Sequence, residues 1–219
     1  MTSGPRRVEV APERLTRWVE GFAARHGEVA WERDDTAYRL VAADGSTARL
    51  ESWTPPLDTA PPPGLLGWAT APSRLGLILV RRGGYAVGLA EGDHLVTHKC
   101  GTRYVQSRTA AGGWSQQRFA RRRSNQADAL AGSVVERAQS MLGARAPHAL
   151  VVGGDKALVR QVLQEPHLAT LAALPRRELY DIPDPRLVVM HKALARGRAV
   201  RVDITETTPG AGPLAISAR

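Results

Sequence analysis

Apolar positions in the first fifty residues follow two different periods. Leu15, Trp18, Val19, Phe22 and His26 recur at i, i+3, i+4, i+7, the stripe a helix turns towards a core. Pro12 suits the first turn of that helix, and Gly27 stands where a C-terminal cap belongs. The period then shortens. Residues 28–33, 37–42 and 47–53 read as strands, with Asp34-Asp35 and Asp44-Gly45 as the hairpin turns between them. Residues 1–53 are therefore expected to form a helix plus a small antiparallel sheet. Residues 54–64, TPPLDTAPPPG, hold five prolines and read as a stiff linker.

From residue 65 the pattern changes again. The run LGLILV, residues 75–80, is wholly apolar, as in a strand buried on both faces. Strands at 85–91 and 94–108 follow across the turns Arg81-Arg82-Gly83-Gly84 and Gly92-Asp93, which makes a meander. After a small-residue loop at 109–113, residues 115–142 lack proline. There Phe119, Ala127, Leu130, Val134, Ala138 and Met141 keep helical spacing. That predicts a helix of about 28 residues, roughly 40 Å long. A short buried strand at 148–152 leads through Gly153-Gly154 to a helix capped by Asp155. A further helix begins at Asp184-Pro185, carries Leu187, Met190, His191 and Leu194, and stops at Gly197. Residues 200–207 alternate like an edge strand, and 208–219 read as a mobile tail. The order β-β-β-α-β-α matches an α/β fold with a mixed sheet of RNase H-like layout spanning 65–207, preceded by the small α+β subdomain.

Composition narrows the class. The chain is 43% hydrophobic and 23% charged, ordinary for a globular protein of 219 residues. One cysteine excludes an intrachain disulfide and points to a reducing, cytoplasmic setting. No apolar run is long enough to span a membrane, and the first ten residues lack the apolar core of a signal peptide. The net charge is +9, and only three of the thirty basic residues are lysine. A GC-rich genome would enrich arginine and alanine together, but would not cluster the charge. Residues 101–145 hold eight arginines against Asp128 and Glu136, the footprint of a nucleic-acid contact.

Four constellations invite chemistry and decline it. His94 and His98 have helical zinc spacing but lie on a strand, about 13 Å apart. Cys100 stands in mid-strand as a structural thiol. Gly153-Gly154-Asp155-Lys156 could hold a phosphate at a helix N-terminus, yet lacks the full dinucleotide or Walker spacing. A metal-dependent nuclease needs converging carboxylates, and the meander offers only Glu91 and Asp93, both at turns.

One segment stands apart: TAAGGWSQQRFARRR, residues 109–123. Gly112 and Gly113 supply a hinge, Trp114 a stacking surface, and Ser115 an N-cap. Gln116 and Gln117 then lead into Arg118, Arg121, Arg122 and Arg123, and Arg118, Arg122 and Asn125 share one helical stripe suited to phosphates. The alternative is a glycine hinge before a solvated basic helix.

The segment GGWSQQRFARRR, between a meander and a long helix, resembles the loop of bacterial proteins related to the central domain of eukaryotic and archaeal class-1 release factors. It is most similar to the actinobacterial branch of the Vms-like release factors, and the resemblance extends over residues 70–207. Release factors carry Gly-Gly-Gln and the Vms-like group a Gly-Ser-Gln-type loop. Ser115-Gln116 matches the latter, and Trp114 is an extra residue against both. The resemblance implies an RNase H-like release-factor domain and peptidyl-tRNA hydrolysis in ribosome quality control, with Gln116, or Gln117 if Trp114 shifts the register, as the functional glutamine beside Ser115. It implies the large ribosomal subunit, peptidyl-tRNA and rRNA as partners, with Trp114 and the four arginines on RNA, and no metal, cofactor or membrane. A monomer is expected. Cleavage within the tRNA acceptor end stays open as a variant chemistry. A non-catalytic RNA- or ribosome-binding adaptor with the same fold, and a metabolic enzyme using the Gly153 turn, stay open as other functions.

Overall fold

The computed structural model describes residues 6–102 and 115–207, and over 115–124 the backbone alone. They form two units: residues up to 71 together with those from 198 onward, and residues 72–197.

The first unit contains β1 (Arg6–Val10), a single 3-10 turn, α1 (Leu15–His26), β2 (Val29–Arg33), β3 (Tyr38–Ala42), β4 (Thr47–Glu51), α2 (Leu65–Ala69) and the last strand, β10 (Val200–Thr205). Its sheet is antiparallel throughout, in the order β1-β10-β4-β3-β2. The alternation of β3, β4 and β10 points one face of each inward, so Tyr38, Leu40, Leu50, Val202 and Ile204 meet Leu15 and Phe22 of α1 in one core. Gly27 ends α1 with φ 88°, a conformation that favours glycine, and its N–H bonds the Ala23 carbonyl.

Three expectations are corrected here. The strand at 200–207 is not an edge strand of the second domain. It lies between β1 and β4 in the first sheet, in full register with both. β1 itself was not foreseen, because RRVEV is too polar to read as a strand without its partner. Residues 54–64, expected as a stiff linker, are tied into the first unit. The buried Tyr38 hydroxyl accepts from the Leu57 N–H at 2.8 Å and donates to the Thr59 carbonyl at 2.9 Å. Trp68 Nε1 donates to the Pro55 carbonyl at 3.2 Å. Prolines cannot donate to a ladder, so these aromatic side chains anchor the segment instead.

The second unit has β5 (Arg74–Arg81), β6 (Gly84–Glu91), β7 (His94–Thr102), α3 (Ser115–Leu142), β8 (Ala149–Gly154), α4 (Lys156–Leu163), the short α5 (Ala169–Ala172), β9 (Arg176–Leu179) and α6 (Leu187–Arg198). The sheet order is β7-β6-β5-β8-β9, with β5 to β7 an antiparallel meander and β8 and β9 added in parallel. This is the mixed α/β sheet the element order predicted. Leu130, Val134, Ala138 and Leu142 of α3, with Leu158, Val159 and Val162 of α4, pack on the face bearing Ile78, Val80, Val87, Leu89, Leu150 and Val152. On the other face α6 comes close enough that Gly197 meets Val151, and Gly88 meets Met190, with no room for a side chain at either glycine. Covering both faces is what makes β5 and β8 continuous apolar runs.

Candidate functional site

The two ends of the segment singled out in the sequence are set by β7 and α3. β7 is described as far as Thr102, and residues 103–108 of the longer predicted strand lie outside the described residues. Thr102 pairs with Gly84 and Gly101 with Tyr85, and the Tyr85 ring occupies the space a side chain at Gly101 would need. That close pairing fixes the entry to the segment on the edge strand of the sheet.

α3 begins at Ser115 and runs unbroken to Leu142, as the spacing predicts. Ser115, Gln116 and Gln117 therefore stand on its first turn, and Arg118, Arg121, Arg122 and Arg123 on the next two. Gly112, Gly113 and Trp114 lie outside the described residues, as do the side chains of Ser115 to Arg123 and the tail from 208. Ser115, expected as an N-cap, is helical in the described backbone. Leu130, the first fully buried residue of α3 among the described side chains, is fifteen positions on, or roughly 22 Å along the axis.

The charge on α3 is polarised along its length. Residues 115–127 hold four arginines and no acid, and the first acid, Asp128, accepts from Gln161 Nε2 at 2.8 Å. The opening turn of a helix has N–H groups without intrahelical partners and carries positive potential. Both effects favour an anion or a developing oxyanion at the same end as the arginines.

The other constellations resolve as structural. Cys100 is half-buried with Sγ 3.8 Å from Met190 Sδ, and burial pushes its thiol up, against the smaller opposing effect of Lys99. That disfavours the thiolate a nucleophile needs. Exposed His94 sits 3.2 Å from Asp93, and no group of three metal-ligating side chains occurs among the described residues. At Gly153-Gly154, the Asp155 side chain accepts from Ala157 N at 2.9 Å and Leu158 N at 3.2 Å, and the Asp155 N–H donates to Val80 at 2.7 Å. Three of the N–H donors a phosphate would use are already satisfied. Gly154 has φ 103°, and a side chain there would strike the Val80 carbonyl. Its glycine serves packing. No helix among the described residues is long and apolar enough to cross a membrane.

A second concentration of arginine was not foreseen. Arg14, Arg17 and Arg25 line a cleft on the first unit. Their spacing, offset from the apolar stripe of α1, was the available signal.

Among solved structures, the archaeal translation termination factor aRF1 is 17% identical, over 57% of this chain and 37% of its own, with a TM-score of 0.38. The Vms1 mitochondrial localization core is 10% identical, over 90% of this chain and 82% of its own, with a TM-score of 0.44. The chain thus spans little more than a third of the archaeal factor. No curated protein matches. The sequence profile of the Actinobacteria/chloroflexi VLRF1 release factor matches residues 73–203, from the start of β5 into β10 and well over half of the chain. On that match, the chain belongs to the Actinobacteria/chloroflexi VLRF1 release factor family.

Proposed function

We propose that the chain is a ribosome-associated peptidyl-tRNA hydrolase that frees nascent chains from stalled large ribosomal subunits. One observation carries this reading. In a chain of the release-factor family, Ser115, Gln116 and Gln117 open a helix whose first thirteen residues hold four arginines and no acid.

The chemistry is ester hydrolysis. Water adds to the ester carbonyl, and the bond from that carbon to the ribose oxygen of the tRNA breaks. The peptide leaves as a carboxylate, the tRNA keeps its hydroxyl, and one proton passes to solvent. Gln116 holds the water, because a neutral amide donates and accepts at once. An N–H of the opening turn of α3 faces the developing oxyanion, and Ser115 supports the turn. Gln117 takes the water-holding role if Trp114 displaces the register by one. Gly112 and Gly113 let the segment enter a narrow RNA-lined site. Trp114 stacks on a base, while Arg118, Arg121, Arg122 and Arg123 neutralise phosphates of rRNA or tRNA. The reaction needs no metal or cofactor. The protein works as a monomer in the cytoplasm.

The test is release of labelled peptide from purified peptidyl-tRNA–large-subunit complexes. Wild-type protein releases it and leaves an intact tRNA 3′ end. A shortened end would assign the chemistry to acceptor-end cleavage. Gln116→Ala lowers saturated release by roughly 10²–10³ at nearly unchanged ribosome affinity, equivalent to about 2.7–4 kcal/mol of lost transition-state contact. Replacing Arg121, Arg122 and Arg123 does the reverse, weakening salt-sensitive binding and sparing saturated turnover. The basic charge equally supports an adaptor. Salt-sensitive ribosome binding with no release by wild type would establish that reading and end the hydrolase one.

A further inference from the structure

On the first unit, four arginines gather around one cleft with a single acid. A cleft of about 440 Å³ opens between β1 and α1. Arg14, Arg17 and Arg25 line it from α1 and its preceding turn, and Arg6 lines it from β1. Glu9 is its one acid, so the lining carries a net charge of +3. The side chains of Arg14, Arg17 and Arg25 make no ion pair or hydrogen bond among the described residues, and the Arg6 side chain reaches Glu206 at 3.8 Å. Three other arginines of this unit are committed to acids, Arg7 to Asp203, Arg49 to Asp34 and Glu51, and Arg198 to Glu13.

The geometry has a direction. Positions 14, 17, 21 and 25 fall on one stripe of α1 and the turn that leads into it, about 16 Å from end to end. Gly21, in the middle, leaves open space where a side chain would stand. The result is a trough with guanidinium groups at both ends. Trp18 forms part of the wall, its ring stacked on Phe22 at 5.6 Å and 15° and so held in place. Planar guanidinium forks beside a fixed aromatic ring suit a nucleotide chain, whose phosphates pair with arginine and whose bases stack. The second basic hollow, at Lys156, Arg160 and Arg176, is less free. Lys156 lies 5.6 Å over the Tyr180 ring, and Arg176 is bonded to the Ala172 carbonyl and Glu178.

We infer that the α1–β1 cleft is a second RNA site, binding the phosphate backbone of a single strand through Arg14, Arg17 and Arg25 with Trp18 as the stacking wall. It is independent of whether the segment before α3 is catalytic.

The experiment uses the full chain and a fluorescein-labelled 12-nucleotide single-stranded RNA of mixed sequence, read by anisotropy from 50 to 300 mM salt. The variant Arg17→Gln/Arg25→Gln is compared with Arg33→Gln/Arg39→Gln, which removes the same charge from the same unit outside the cleft. The cleft variant should bind at least five-fold more weakly at 100 mM salt, with the salt slope reduced by about 1.4, or 0.7 for each lost phosphate contact. The control should change less than two-fold. Equal losses in both variants, or none in either, would overturn the inference. Wild-type protein photocrosslinked to the same RNA carrying 4-thiouridine supplies a readout free of any folding defect. A crosslinked peptide within residues 6–25 supports the site, and crosslinks confined to 103–123 refute it. If polyglutamate of equal length displaces the RNA at equal concentration through the same two arginines, the cleft serves acidic peptides and the RNA assignment fails.

Discussion

Every residue of β5 from Leu75 to Val80 is buried, whereas β3, β4 and β10 alternate between inner and outer positions. Both units have five strands. The second unit's sheet is covered by helices on both faces, with glycines where α6 comes closest. The first unit's sheet turns one face outward and edges it with ion pairs, Arg7 to Asp203, Arg49 to Glu51 and Arg201 to Glu51. Its hairpin turns are tied by carboxylates, Asp34 to Thr36 and Ala37, and Asp44 to Ser46 and His26. The difference predicts two kinds of fragility. The second unit should be intolerant of added atoms, and the first should be sensitive to pH and salt.

The largest effect tests the intolerance. In Gly154→Val, a β-branched residue meets φ 103° and its side chain strikes the Val80 carbonyl. Strain and overpacking together should destabilise by about 3 kcal/mol or more, measured by denaturant unfolding. A loss under 1 kcal/mol would mean that the turn relaxes and that β8 is not locked as its packing implies.

Smaller and on the other unit, Tyr38→Phe removes the hydroxyl that joins the Leu57 N–H and the Thr59 carbonyl. The expected cost is about 1–1.5 kcal/mol. Faster proteolysis within residues 54–64 should accompany it, since that segment loses one of its two aromatic anchors. Unchanged proteolysis would return the proline-rich stretch to the status of a plain linker.

That stretch shows where local sequence stops being informative. The meander, the 28-residue α3, the Asp155 cap and the Gly27 stop were legible because each depends on spacing or on a backbone conformation within a few residues. β10 was legible as a strand, since Val200, Val202 and Ile204 alternate, but its partners were not. It pairs with Arg6–Val10 and Thr47–Glu51, roughly 150 to 200 positions away, and alternation carries no address. Pro55 likewise gives no sign that Trp68 will donate to its carbonyl. The long helix from Ser115 was legible from its spacing, while the motif before it lies outside the described residues. The arginine cleft was overlooked because its two walls, β1 and α1, come together only once β10 has placed β1 in the sheet.

Acid should separate the units further. Hydrogen bonds from Thr36 hold the Asp34 carboxyl down at about 2. His26 lowers Asp44, and Arg7 lowers Asp203. In the second unit Arg196 lowers Asp181. A carboxylate whose folded pKa lies below its unfolded one adds stability in full above the usual aspartate range, and that stability fades as pH falls through the folded value. Trp18, Trp31, Trp53 and Trp68 all belong to the first unit. Their fluorescence should therefore begin to change as pH drops from 4 towards 2. Asp34→Ala should cost about 1 kcal/mol at neutral pH through its lost turn bonds. The gap to wild type should narrow as pH falls through about 2, where the wild-type carboxyl takes up its proton. A pH-independent gap would assign the effect to the turn's shape.

The smallest effect concerns what holds β1, and with it one wall of the arginine cleft. Arg7 Nε and Nη2 reach the two oxygens of Asp203 at 2.6 and 2.7 Å, and the two residues are register partners across the β1–β10 pair. A bidentate fork is the best geometry for an ion pair, but this one is solvated, with side-chain exposures of 55% and 29%. Screening should hold its coupling to about 0.5 kcal/mol in a double-mutant cycle of Arg7→Ala and Asp203→Ala at low salt, falling towards zero at 1 M salt. Besides the long, exposed Arg6–Glu206 pair at 3.8 Å, β1 is attached by its ladder to β10 and the burial of Val10, neither of which salt weakens. RNA binding at the cleft should then survive both single variants at low salt, since β1 stays in place. A coupling above 2 kcal/mol would reverse this order. β1 would then be held by charge, and high salt would loosen the cleft's wall as well as screen its arginines.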